Sequence, residues 1–173
     1  MGSTLNNFVT GTKNGAKMVS SYSIMDIPNS TWGVGRYPLF VDCATVPDPD
    51  SEQLSDIAIT SAESFLGILR IDPAVSLLSF STYGSAKHRL AGEVVRATEL
   101  ANHKRPDLIA DGELQLDSAL IPSIGKIKTK PEESSVATVT MTVRKPCYYS
   151  KIFAMVGDIE IFRSGTKRKL RYV

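Results

Sequence analysis

The chain is poor in the residues that build disulfide frameworks and metal centres. Its 173 residues include two cysteines, Cys43 and Cys147, and two histidines, His88 and His103. Two cysteines at this separation give neither a disulfide framework nor zinc-ligand spacing. Cys43 lies inside an apolar segment and reads as a buried, inert thiol. Such usage suits a reducing, cytoplasmic setting. The histidines fall at opposite ends of one expected helix with no carboxylates at metal spacing, so each reads as a helix-end residue and no metal is expected. No apolar run approaches the length that crosses a bilayer, so no membrane partner is expected. No secretory h-region is present, and Asn6 stands where myristoylation wants Ser or Thr. The Asn29-Ser30-Thr31 sequon then reads as a turn. There is no internal repeat and no low-complexity tract. Gly33-Val34-Gly35 is too short for a dinucleotide fingerprint.

What is present is a real core and an uneven charge. Apolar residues make up 42% of the chain, enough for one globular domain at this length. From Ala137 onward eight Lys and Arg stand against two Asp and Glu, whereas the preceding part has twelve against sixteen. The body is mildly acidic and the end is basic. A basic end alone points only weakly to nucleic acid, because no aromatic interleaving or nucleic-acid motif accompanies it.

Apolar patterning predicts strands near 20–27, 38–44, 74–80, 108–116 and 136–143, with helices near 51–68 and 88–104. Alternation of this kind predicts an α/β fold, three-layer α/β/α with a mainly parallel sheet. A short helix is possible near 5–12, and Trp32 is expected to fold over an edge. Asp42 sits in a buried strand and needs a partner there. Asp50 or Ser51 is expected to cap the first long helix, with Glu52 suiting its dipole. Pro122 requires a break, or an early position in a second turn, within a helical stretch from Ser118 to Lys128.

The chain is organised around Ala74–His88. Ala74 to Phe80 reads as a strand buried on both faces. Ser81 to Lys87 is small and hydroxylated, with Gly84 at its centre, and a helix follows. In an open α/β sheet, ligands bind outside the carboxyl ends of strands, where such loops lie. Ser81, Thr82 and Ser85 offer hydroxyls, Gly84 allows close backbone approach, and Lys87 offers a cation. Amides at the helix start favour an anion. A capped turn with a surface lysine is the plainer alternative. Further on, Asp111, Glu113, Gln115 and Asp117 would share one face if extended. That face could orient a substrate, hold magnesium, or meet water.

Leu78-Ser79-Phe80-Ser81-Thr82-Tyr83-Gly84-Ser85-Ala86-Lys87 resembles the L-S-F/Y-S-T-K-G-S-A-K motif of phosphotransacetylases. Asp111 to Ala119 resembles the same family's D-G-E-L/F-Q-x-D-A-A, and the two motifs stand at family spacing. The similarity runs roughly from Ser3 to Ala137. It implies an isocitrate/isopropylmalate dehydrogenase-like second domain, here 1–143, followed by a divergent basic segment, 144–173. It implies acetyl transfer between coenzyme A and phosphate, giving acetyl phosphate, with coenzyme A and acetyl-CoA as substrates and no bound cofactor or metal. Ser81, Thr82, Gly84, Ser85, Lys87, Gln115 and Asp117 are the implied substrate-binding residues, and no residue is assigned as catalytic. A homodimer is implied, and neither nucleic acid nor membrane is an expected partner.

Three departures qualify this. Asn6 stands where the family has an arginine, Tyr83 replaces the motif lysine, and the closing L-S-R-G-C segment has no counterpart. The expectation is a truncated or frame-altered coding region with weak or no activity alone. The alternatives are a non-catalytic dimerisation domain and a basic-tailed phosphate- or nucleic-acid-binding module.

Overall fold

The computed structural model describes residues 22–26, 39–41, 46, 48–129, 141–144, 159–163 and 166–170. Asn6, Trp32, Asp42, Cys43, Cys147 and the possible helix near 5–12 lie outside the described residues. In chain order the strands are β1 (Tyr22–Asp26), β2 (Leu39–Val41), β3 (Ala74–Leu78), β4 (Ile109–Leu114), β5 (Met141–Arg144), β6 (Ile159–Arg163) and β7 (Thr166–Leu170). The helices are α1 (Ser51–Leu69), α2 (Arg89–Lys104), α3 (Leu116–Leu120) and α4 (Pro122–Lys128).

The strands form one sheet in the order β4-β3-β5-β2-β1-β6-β7. Pairings β4–β3, β3–β5 and β5–β2 are parallel. Pairings β2–β1, β1–β6 and β6–β7 are antiparallel. The predicted α/β fold with a parallel sheet is therefore present, and β3 lies inside it. The basic run Thr166–Leu170 forms β7, the last strand at the antiparallel edge of the sheet. Among the described residues, no helix is long and apolar enough to cross a membrane.

One face of the sheet carries the main core. Leu39, Val41, Val75, Leu77 and Ala110 pack with Leu54, Ile57, Ala58, Ala62 and Phe65 of α1 and Val94, Ala97 and Ala101 of α2. Strand alternation turns Phe40, Ser76 and Leu78 to the other face, and these are buried too. Strands β2 and β3 are thus buried on both faces. Gly112 lets β4 approach α2 closely. An added Cβ there would lie 2.6 Å from Thr98 Oγ1 and 2.9 Å from the Leu77 carbonyl oxygen.

Local signals set the helix limits. Asp50 caps α1 in a capping box: its side chain accepts from the Gln53 amide, and Gln53 returns the bond to the Asp50 amide. Arg70 closes the helix in the left-handed region at φ 58°. The His88 imidazole accepts from the Leu90 amide and caps α2. Pro122 opens α4 at its first position, where its missing N–H removes no helical bond.

Charges fasten the end of α2 to α1. Lys104 reaches Glu52 at 2.7 Å and Asp56 at 2.8 Å. Burial alone would lower the pKa of this amine, but the bonds and charges of Asp56 and Glu52 outweigh it and the pKa is raised. Arg105 bridges Glu63 and Asp107. Its hydrogen bonds draw the Asp107 pKa down from 3.8 to about 2. A carboxyl with a depressed folded-state pKa contributes stability above its unfolded value and loses it as pH falls through the folded one. The Asp107 carboxyl carbon should therefore titrate near pH 2 by NMR and return toward 3.8 in Arg105→Ala. Equal midpoints in the two proteins would contradict this ion pair.

Candidate functional site

Strands β3 and β4 are adjacent and parallel, so the segments that follow them leave the same edge of the sheet. The Ser79 amide donates to the Leu114 carbonyl at 2.8 Å, which carries the pairing past the end of β3. Beyond that point side chains join the two segments. Ser81 Oγ donates to Glu113 Oε1 at 2.7 Å, and the Gly84 amide donates to the same oxygen at 2.7 Å. The Gln115 amide donates to Thr82 Oγ1 at 2.9 Å, and Gln115 Nε2 donates to the Phe80 carbonyl at 3.0 Å. The Tyr83 hydroxyl donates to Asp111, 2.7 Å from Oδ1 and 2.9 Å from Oδ2.

The loop has used its own amides. Ser81 N–H donates to Ser79 Oγ, Thr82 N–H to Ser85 Oγ, and Ala86 N–H to Ser81 Oγ. Tyr83 N–H donates to the Glu113 carbonyl, and Ser85 N–H to the Thr82 carbonyl. With Gly84 on Glu113, every amide from Ser81 to Ala86 is bonded internally. Tyr83 and Gly84 turn the chain with φ of 45° and 77°. Left-handed backbone is ordinary for Gly84 and uncommon for Tyr83, whose hydroxyl is tied down on Asp111. The rings of Phe80 and His88 meet edge to face at 5.6 Å across the base of the loop.

The seven residues singled out from the sequence fall into two groups. Ser81 and Thr82 are buried, and their hydroxyls hold the loops together. Gln115 and Asp117 accept from Lys128 Nζ at 2.9 Å and 2.6 Å. Gly84, Ser85 and Lys87 are exposed. The Lys87 ammonium makes no hydrogen bond or ion pair among the described residues. The amides of the loop itself, from Ser81 to Ala86, already have partners. Sequence reasoning passed over Glu113 as a loop anchor, and over Lys128 and the Tyr83–Asp111 bond. The clue for Glu113 was a carboxylate between Gly112 and Leu114 at a strand end, which must find donors when buried. Among the described residues no group of three or more His, Cys, Asp or Glu could hold a metal ion.

The fold and these loops define an α/β domain whose candidate binding elements lie at the carboxyl ends of neighbouring parallel strands. The family described as phosphate acetyl/butaryl transferase matches residues 4–140, and the chain belongs to that family. It is 46% identical over 123 residues to a phosphate acetyltransferase of Acetivibrio thermocellus, covering 71% of this chain and 36% of that protein. It is 46% identical over 120 residues to one of Thermoanaerobacterium thermosaccharolyticum, covering 69% and 37%. Among solved structures, the EutD phosphotransacetylase from Staphylococcus aureus superposes with a TM-score of 0.72 at 31% identity, covering 86% of this chain and 44% of that one. The chain thus spans 36–37% of the length of these two curated relatives.

Substitutions should separate the two groups. Ser81→Ala leaves the Ala86 amide and part of Glu113 unsatisfied inside the protein, a loss of about 2 kcal/mol. Lys87→Ala removes an exposed, unpaired cation and should change stability by less than about 0.5 kcal/mol. Urea unfolding monitored by circular dichroism measures both, and equal losses would contradict the division.

Proposed function

We propose that this chain supplies one wall of a site for acetyl transfer between coenzyme A and phosphate. The observation that carries the reading is the interlocking of the two family motif segments at the carboxyl ends of β3 and β4. In the reaction the coenzyme A thiol loses its proton and the thiolate attacks the carbonyl carbon of acetyl phosphate. A carbon–sulfur bond forms, the carbon–oxygen bond to phosphate breaks, and inorganic phosphate leaves. The reverse direction makes acetyl phosphate from acetyl-CoA. Lys87 is the proposed cation for a phosphate oxygen. Gly84 and Ser85 form the surface against which a ligand packs, while Ser81, Thr82, Gln115 and Asp117 hold that surface in place. Coenzyme A thioesters and phosphate as substrates, and few cysteines, support a cytoplasmic setting. Segment 144–173 is read as an addition to a family domain at 1–143, with β6 joined to β1.

The chain spans 36–37% of the length of the two curated relatives, and we propose that the wall facing these loops comes from sequence beyond the matched part. Losing several groups that act in one transition state lowers rate by orders of magnitude. Binding and turnover should therefore part company. Phosphate or coenzyme A should shift the side-chain NMR resonances of Ser85 and Lys87, with Lys87→Ala weakening binding roughly tenfold. Thioester release from acetyl-CoA should stay below about a hundredth of that of a full-length relative. Turnover within about tenfold of such a relative, abolished by Lys87→Ala, would show that one wall suffices.

We also propose that the chain pairs with itself through α2. Val95 is 37% exposed there, beside Leu100, Gly92 and Arg96 in one open groove. Exposed apolar surface of this kind favours association. Sedimentation velocity should show a dimer at high concentration that Val95→Glu returns to monomer; a wild-type monomer throughout would refute the proposal.

A further inference from the structure

Glu113 has no part in the transfer proposed above, yet it is among the largest fully buried side chains, at 2% exposure. Its Oε1 accepts two short hydrogen bonds, from Ser81 Oγ and from the Gly84 amide, at 2.7 Å each. Its Oε2 has no hydrogen-bond partner among the described residues. Its carbonyl oxygen receives the Tyr83 amide at 3.3 Å. A small hydroxylated loop between a strand and a helix, turning through left-handed backbone, makes a concavity of donors suited to an anion. Here that concavity is occupied by a carboxylate of the same chain, brought from the neighbouring strand.

We propose that Glu113 is the resident anion of the loop between β3 and α2 and a positioning residue for its outer surface. By satisfying Ser81 and Gly84 from beneath, it holds Gly84, Ser85 and Lys87 facing outward and keeps phosphate out of the loop interior. A phosphate group is therefore met by the Lys87 side chain and not by the Gly84 amide. The contact with Lys87 rests on the acetyl-transfer reading; the occupation of the loop by Glu113 does not.

Three measurements on the full chain test this. In a titration of the ¹⁵N-labelled protein with inorganic phosphate, Lys87 should shift while the Gly84 and Ala86 amides stay fixed. Movement of those two amides would overturn the proposal. If phosphate moves no resonance at all, the ligand reading of the loop fails and the resident-anion reading is decided by the next measurement. Glu113→Ala should lower Tm, and formate should recover about half of that loss by filling the vacated carboxylate position. Chloride at equal ionic strength should not do so, and wild-type Tm should not respond to formate. Equal response to formate and chloride would overturn the proposal. Should Glu113→Ala fail to fold, Glu113→Gln keeps an acceptor oxygen without the charge. It should fold with Gly84 and Ala86 amides exchanging roughly tenfold faster than in wild type. Unchanged exchange would equally overturn the proposal.

Discussion

The candidate site depends on one buried carboxylate and the two donors that reach it. Glu113 comes from the end of β4, Ser81 and Gly84 from the loop after β3, and 32 residues separate Glu113 from Ser81. An ionised carboxylate out of water costs several kcal/mol unless hydrogen bonds replace its hydration. A loop with inward-pointing N–H and O–H groups carries the opposite debt, since each unsatisfied donor costs about 1–3 kcal/mol. Each segment removes the other's penalty. Together they fix where the exposed part of the loop lies.

That meeting is prepared by topology. Parallel strands joined through a helix cross over right-handed and return to the same edge of the sheet. The β3–α2–β4 unit therefore delivers both motif segments to one place before any polar contact forms. Gly112 sharpens the approach, because any side chain there would strike Thr98 and the Leu77 carbonyl. Lys128 adds a third segment, reaching back 13 residues to Gln115 and on to Asp117. The strand and helix supply position, and the hydrogen bonds then select one loop conformation.

The architecture was legible in the sequence because its signals are local. Apolar period marked α1 and α2, Asp50 or Ser51 marked the start of α1, Pro122 marked a break, and Ala74–Phe80 read as a buried strand from its short, mostly apolar run. The loop was legible as a place but not as a set of roles. Ser81 and Thr82 look the same in sequence whether their hydroxyls face a ligand or a neighbouring segment. Which they do depends on where Glu113 and Gln115 land, and that is decided by strand pairing more than 30 residues away. Long-range partners of short polar side chains leave no periodic trace, whereas an apolar face leaves one at every turn.

Tyr83 shows how such a network can absorb a change of chemistry. The family motif has lysine there, and a lysine beside Asp111 would form an ion pair. The phenol keeps the contact by donating a neutral hydrogen bond to both carboxylate oxygens of Asp111. It gives up a full positive charge beneath the loop and leaves Lys87 as the cation on its outer side. In the transfer proposed for this loop, a transition state that gathers negative charge on phosphate would be stabilised by cations already fixed in place, because fixed groups need no reorganisation as the charge develops. The loop in this chain is rigidly held but carries one such charge where the motif has two. Fixing an acceptor surface and supplying charge to it are separable properties of the same loop, and the Tyr83–Asp111 bond preserves the first without the second.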